Sequence, residues 1–96
     1  MLEKSPNPQK MSDIVIYTKT YCPFSKECKK FLENKGLNYH EKTIDGDPAT
    51  EMEMKNKSGF REDTPQLIIN GHHIGNFDDL KALDATDKLD QVLHNS

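Results

Sequence analysis

Cysteine is scarce in this chain, two among 96 residues, and no secretory leader is expected ahead of them. That argues against a disulfide-stapled scaffold. It leads to the expectation of a reducing compartment, the cytoplasm, where a cysteine motif is more often catalytic than structural. Long apolar runs are also missing, and none approaches the length of a transmembrane span or a signal h-region. No excess of basic charge is present. Lys and Arg number 13 against 16 Asp and Glu, a formal net charge of −3, so the electrostatic footprint of a nucleic-acid binder is lacking. Internal repeats and low-complexity tracts are absent. What remains is one small domain with room for a modest core. Residues 1–11, rich in Ser, Asn, Gln and Pro, read as a disordered extension ahead of a folded domain at 12–96.

The most informative stretch is Tyr21-Cys22-Pro23-Phe24-Ser25. Before it, Ile14-Val15-Ile16-Tyr17 is a short apolar, β-branched run that fits a strand covered on both faces. After it, an amphipathic helix begins. Pro23, with its fixed φ and missing N–H, suits the first helical position. Cys22 is thereby placed where unpaired backbone N–H groups and the helix dipole favour negative charge. A thiolate there can have its pKa lowered from about 8.5 into roughly the 3.5–7.5 range. Helical residues three apart share a face, so Ser25 stands where a Cys-x-x-Cys pair carries its second thiol. A serine hydroxyl can donate to the Cys22 thiolate but cannot form a disulfide. The motif is monothiol.

Cys28 has a different environment. Phe24, Cys28, Phe31, Leu32 and Lys35 follow the stripe of a helix facing a core, and Lys26, Glu27, Lys29, Lys30 and Glu33 take the other side. Cys28 is expected to pack as a small buried hydrophobe.

Further along, Asn34-Lys35-Gly36 is a helix stop with Gly36 in the left-handed cap position. Residues 37–44 read as a second strand near a sheet edge. Asp47 and Pro48 supply an N-cap and first helical residue for a second helix ending at Ser58-Gly59, with Met52 and Met54 as its only large apolar residues. Gln66 to Ile69 and His72 to Ile74 flank Asn70-Gly71, the strongest short hairpin signal. A third helix opens at Asn76 or Phe77, with Asp78 and Asp79 in its first turn and Leu80 and Leu83 inward. Thr86-Asp87 is expected to cap a last helix carrying Leu89, Val92 and Leu93. A parallel βαβ unit beside an antiparallel hairpin makes an α/β sandwich of about four strands in a mixed sheet, with helices on both faces.

In these motifs the chain resembles the glutaredoxins, small thioredoxin-fold proteins that use glutathione. The similarity runs from Ile14 to Leu93 and rests on ordered motifs: Tyr17-Thr18-Lys19, Tyr21-Cys22-Pro23-Phe24, Ile44-Asp45-Gly46-Asp47, Thr64-Pro65-Gln66, Asn70-Gly71-His72-His73-Ile74-Gly75 and Asp78-Asp79-Leu80. The resemblance implies a cis Pro65 facing Cys22, with Thr64 offering backbone groups to the cysteine of glutathione. It implies that Lys19 meets the glycine carboxylate. The γ-glutamyl end would go to the Phe77 N–H and Asp78, and Tyr21 and Phe24 would wall the cleft. One of Asp78 and Asp79 is expected to act only as a helix cap.

The departures from the family pattern are Ser25 for a second cysteine, Asp63-Thr64 where Thr-Val is usual, and Gly75-Asn76 where Gly-Gly is usual. A loop one residue longer follows Gly59. Asp63 would weaken binding of an anionic tripeptide unless Arg61 offsets it.

The function implied is glutathione-dependent thiol–disulfide exchange, with Cys22 reducing protein–glutathione mixed disulfides in a one-cysteine cycle. The partners are glutathione and glutathionylated proteins, the protein is expected to be a monomer, and neither nucleic acid nor membrane is expected. The alternative is a dimer that holds a two-iron, two-sulfur cluster through Cys22 and glutathione. Pro23 opposes it by stiffening the loop, and the cluster-carrying Cys-Gly-Phe-Ser class is only half matched. A zinc site at His72-His73 is not expected, since no cysteine stands at ligand spacing.

Overall fold

The computed structural model describes residues 13–94; the extension expected at residues 1–11 lies outside them. Its elements are β1 (Ile14–Thr18), α1 (Pro23–Asn34), β2 (His40–Thr43), α2 (Pro48–Ser58), β3 (Gln66–Ile69), β4 (His72–Gly75), α3 (Phe77–Ala85) and α4 (Lys88–His94). The strands form one mixed sheet in the order β2-β1-β3-β4. β1 runs parallel to β2, with Val15 opposite His40, and antiparallel to β3, with Ile16 opposite Leu67. β3 and β4 pair antiparallel across Asn70-Gly71, whose φ values of 51° and 82° give the turn expected of that dipeptide.

Alternation along the two central strands divides the core. Ile14, Ile16, Leu67 and Ile69 face α1, α3 and α4, where they meet Cys28, Leu32, Phe77, Leu80 and Leu89. Tyr17 and Ile68 face the opposite side, where Ile44 and Met54 complete a smaller cluster. Each fully buried Leu or Ile contributes about 1.5–3 kcal/mol, so the first face carries most of the stability. On the second face, Met54 is the only large apolar side chain of α2 that is buried, and Met52 is half exposed.

Three expectations change. The second strand starts at His40 rather than residue 37, because α1 ends in a Schellman motif. The Gly36 N–H donates to the Glu33 carbonyl at 2.9 Å and the Leu37 N–H to the Leu32 carbonyl at 3.0 Å. Those bonds commit residues 35–37 to the helix end. Second, Phe24 leaves the core stripe and is 61% exposed, while Ser25, Cys28 and Leu32 form the buried edge of α1. Phe24 lines a cavity instead. Third, Thr86 closes α3 instead of opening α4, its hydroxyl donating back to the Ala82 carbonyl at 3.1 Å.

Candidate active site

Cys22 is the N-cap of α1, with extended backbone angles (φ −88°, ψ 114°) and Pro23 following it. A turn presents it there: the Cys22 N–H donates to the Lys19 carbonyl at 3.2 Å, and the Cys22 carbonyl accepts the Lys26 N–H at 3.3 Å. Pro23 has no N–H, so the first helical donors are those of Phe24 and Ser25. Opposite them lies the cis peptide bond between Thr64 and Pro65. Thr64 Oγ1 donates to Cys22 Sγ at 3.4 Å, and the thiol in turn points at the Thr64 carbonyl at 3.8 Å.

These contacts set the thiol's ionisation. Burial is the largest single influence and opposes the thiolate. It is outweighed by the favourable influence of the Ser25 hydroxyl close by, the Thr64 hydroxyl bonded to the sulfur, and the N–H groups of Ser25 and Phe24, which together hold Cys22 below the ordinary thiol range. Ser25 is 1% exposed, and among the described residues its Oγ is the one buried side-chain polar atom without a partner at standard hydrogen-bond geometry. It is a nearby, uncommitted hydroxyl, able to turn toward the sulfur as negative charge develops.

Cys28 is fully buried, and desolvation pushes its thiol up to about 12. One cysteine is partly accessible with its thiol pKa lowered and the other is a core residue; both are free thiols.

Beside Cys22 is a cavity of about 180 Å³ lined by Phe24, Asp63, Thr64, Pro65, Asn76, Phe77 and Asp78. It brings together five residues singled out from the sequence, Phe24, Thr64, Pro65, Phe77 and Asp78. Lys19 is not among its lining residues. It sits half-buried in the β1–α1 turn, near Asp45, whose carboxyl is held below its ordinary range first by Thr20 and more weakly by the Lys19 charge. A larger groove, about 660 Å³, runs along β4 past His73, Leu83 and Lys88, but no cysteine lines it.

The two acidic residues at the start of α3 divide their roles. Asp79 closes a capping box, its Oδ2 accepting the Asn76 N–H at 3.0 Å while the Asp79 N–H donates to Asn76 Oδ1 at 3.0 Å. Asp78 stays exposed at the cleft, with Lys81 Nζ at 3.5 Å from its carboxylate.

Sequence reasoning missed how the departures from the family pattern join. Arg61 grips Asp63 with Nε at 3.1 Å and Nη2 at 2.7 Å, and its Nη1 reaches Asp79 Oδ2 at 3.1 Å. Asn76 Nδ2 donates to Asp63 Oδ2 at 3.0 Å. Arg61 is the leading cause that holds the Asp63 carboxyl at about 2. The only signal in the sequence was an arginine two residues before an acidic residue.

The comparisons with known proteins agree with this geometry. The glutaredoxin family model matches residues 14–74. Glutaredoxin 3 of Escherichia coli strain K12 is 45% identical over 83 residues, covering 86% of this chain and 99% of that protein. The solution structure of a glutaredoxin from Brucella melitensis superposes with a TM-score of 0.75 at 38% identity, covering 91% of this chain and 94% of that one. A buckwheat glutaredoxin–glutathione complex superposes with a TM-score of 0.76 at 26% identity, covering 85% and 76%. With an activated cysteine at a helix start facing a cis-proline loop, and with relatives of this similarity along most of its length, the chain belongs to the glutaredoxin family of thiol oxidoreductases.

Proposed function

We propose that this chain is a monothiol deglutathionylase that works as a monomer in the cytoplasm. The observation that carries the reading is the contrast at one helix: Cys22 is partly accessible and activated, Ser25 occupies the resolving position, and Cys28 is sealed in the core. Glutathione is the co-substrate. Its cysteine would pair with the backbone of Thr64, which already faces Cys22 Sγ. The N–H groups of Asn76 and Asp79 are occupied within the capping box, so those of Phe77 and Asp78 would receive the γ-glutamyl carboxylate. The Asp78 carboxylate would face the adjacent ammonium. Lys19, on the other side of Cys22, would meet the glycine carboxylate, and Phe24 would cover the tripeptide.

The cycle follows from thiolate exchange. The Cys22 thiolate attacks the glutathione sulfur of a protein–glutathione disulfide. A Cys22–glutathione bond forms as the protein sulfur leaves and takes up a proton. A second glutathione thiolate then attacks the glutathione sulfur of that adduct, giving glutathione disulfide and restoring the Cys22 thiolate. The hydroxyls of Ser25 and Thr64 stabilise the sulfur each time it carries charge.

Steady-state turnover of a glutathionylated peptide with glutathione tests this. The parent and Ser25→Cys should be active and Cys22→Ser inactive. A parent that turns over only after Ser25→Cys would overturn the monothiol cycle. A visible iron–sulfur absorption lost in Cys22→Ser, with no peptide turnover, would favour cluster carriage instead.

A further inference from the structure

The cleft has two walls, and four residues outside the thiol chemistry tie them together. One wall is the loop segment Asp63-Thr64-Pro65 and the other is the helix start Asn76-Phe77-Asp78. Arg61 bridges them, forked onto Asp63 and single-bonded to Asp79. Asn76 bridges them again, its side chain on Asp63 and its N–H on Asp79. The ring is closed: Arg61, Asp63, Asn76, Asp79 and back to Arg61. Its members are chain neighbours of the groups that would hold the tripeptide, since Asp63 precedes Thr64 and Asn76 precedes Phe77.

Two further details support a built arrangement. Gly75, at φ +120°, leaves the room that Asp79 fills; a Cβ there would lie 2.1 Å from Asp79 Oδ2. The groups that lower the Cys22 thiol are Ser25, Thr64 and Phe24, whereas the ring joins the residues of the two cleft walls.

We propose that Arg61 and Asp63 are positioning residues that fix the separation of the two walls, and that they thereby set this chain's selectivity for disulfides bearing a γ-glutamyl arm. The inference rests on the reading that the cleft takes glutathione. The fork onto Asp63 is directional as well as attractive; it fixes the guanidinium within its own wall and aims the remaining nitrogen at Asp79 on the other, an orientation that a lone lysine ammonium would not set. A substrate without the arm reacts at Cys22 but never spans the walls. It is indifferent to the ring.

Equilibrium exchange at Cys22 separates the two effects. The protein is incubated with glutathione and glutathione disulfide, and in parallel with cysteamine and cystamine, which lack the γ-glutamyl arm. The adduct fractions are read by intact mass after acid quench. The parent should prefer glutathione. Arg61→Gln and Asp63→Asn should each lower the glutathione constant about five- to tenfold, with the cystamine constant held within about twofold. Arg61→Lys, which keeps charge without the fork, should recover only part of the loss. The pH profile of Cys22 alkylation should not move. Equal losses for both disulfides, or an unchanged glutathione constant in both variants, would overturn the proposal. A parent that favours neither disulfide would remove the glutathione reading itself, and that result is visible before any variant is made.

Discussion

Gly75→Ala should be among the most damaging single-methyl additions this chain can receive. Two separate effects act at that position. The backbone sits at φ +120°, a region open to glycine and costing other residues about 1–3 kcal/mol. The new Cβ would also lie 2.1 Å from Asp79 Oδ2 and 2.7 Å from its Cγ, so the carboxylate must leave. Its departure breaks the α3 capping box, worth about 0.5–2 kcal/mol, and the partly exposed pair with Arg61, worth less than about 1 kcal/mol. Together the loss is about 1.5–6 kcal/mol, a large part of the roughly 5–15 kcal/mol that holds a small domain folded. Urea unfolding followed by far-ultraviolet circular dichroism measures it. With a denaturant slope of about 1 kcal/mol per M, the midpoint should fall by about 1.5 M or more. Gly71→Ala is the internal control. Its φ of +82° carries the backbone cost, but nothing lies within 4 Å of the added Cβ. It should cost clearly less. Asp79→Ala should also shrink the Gly75→Ala penalty, because the clash disappears. Equal effects at Gly71 and Gly75, or a midpoint shift below about 0.5 M at Gly75, would refute the reasoning.

Other expectations follow from the same geometry. Thr64→Val removes the hydroxyl 3.4 Å from Cys22 Sγ; the thiol pKa should rise and iodoacetamide alkylation at pH 7 should slow by about three- to tenfold. Cys28 predicts behaviour at alkaline pH. Burial raises its folded-state pKa from 9.0 to about 12, so the neutral thiol contributes fully below pH 9 and its contribution is lost as pH rises toward 12. Tyr17 and Tyr39, also raised, add to the loss from about pH 10. Cys28→Ala should therefore flatten the fall in urea midpoint between pH 9 and 10 specifically, and an unchanged slope there would contradict the assignment. The Arg61 and Asp63 variants should separate glutathione from cystamine as set out above.

Much of the fold was legible because local chemistry and tertiary packing agree. The alternation of Ile14, Val15, Ile16 and Tyr17 matches a central strand covered on both faces, and Asn70-Gly71 turns the hairpin as its composition dictates. Asp47 caps α2 by accepting the Thr50 N–H at 3.2 Å. What was missed depended on contacts between distant residues. Helical periodicity places Phe24 on the core stripe, but periodicity does not report that this side chain lines the cavity instead. The second strand was drawn too long because β propensity at residues 37–39 says nothing of the hydrogen bonds that end the preceding helix. At the candidate site, the placement of Cys22 and Pro23 at the start of α1 and of Ser25 in its first turn agrees with the spacing. The ring of Arg61, Asp63, Asn76 and Asp79 was not legible, since it joins positions up to 18 residues apart through side chains. From the sequence, Asp63 reads as a charge beside an anionic ligand that Arg61 alone would offset. In the folded chain it is gripped by a guanidinium and an amide.

The central claim is that a single sulfur carries the cycle. Quenching the protein in acid during turnover of a glutathionylated peptide, then mapping its cysteines by mass spectrometry, tests this most directly. The account predicts one glutathione joined to Cys22, an unmodified Cys28, and no adduct in Cys22→Ser. A Cys22–Cys28 disulfide as the accumulating species, or glutathione carried on Cys28, would contradict it.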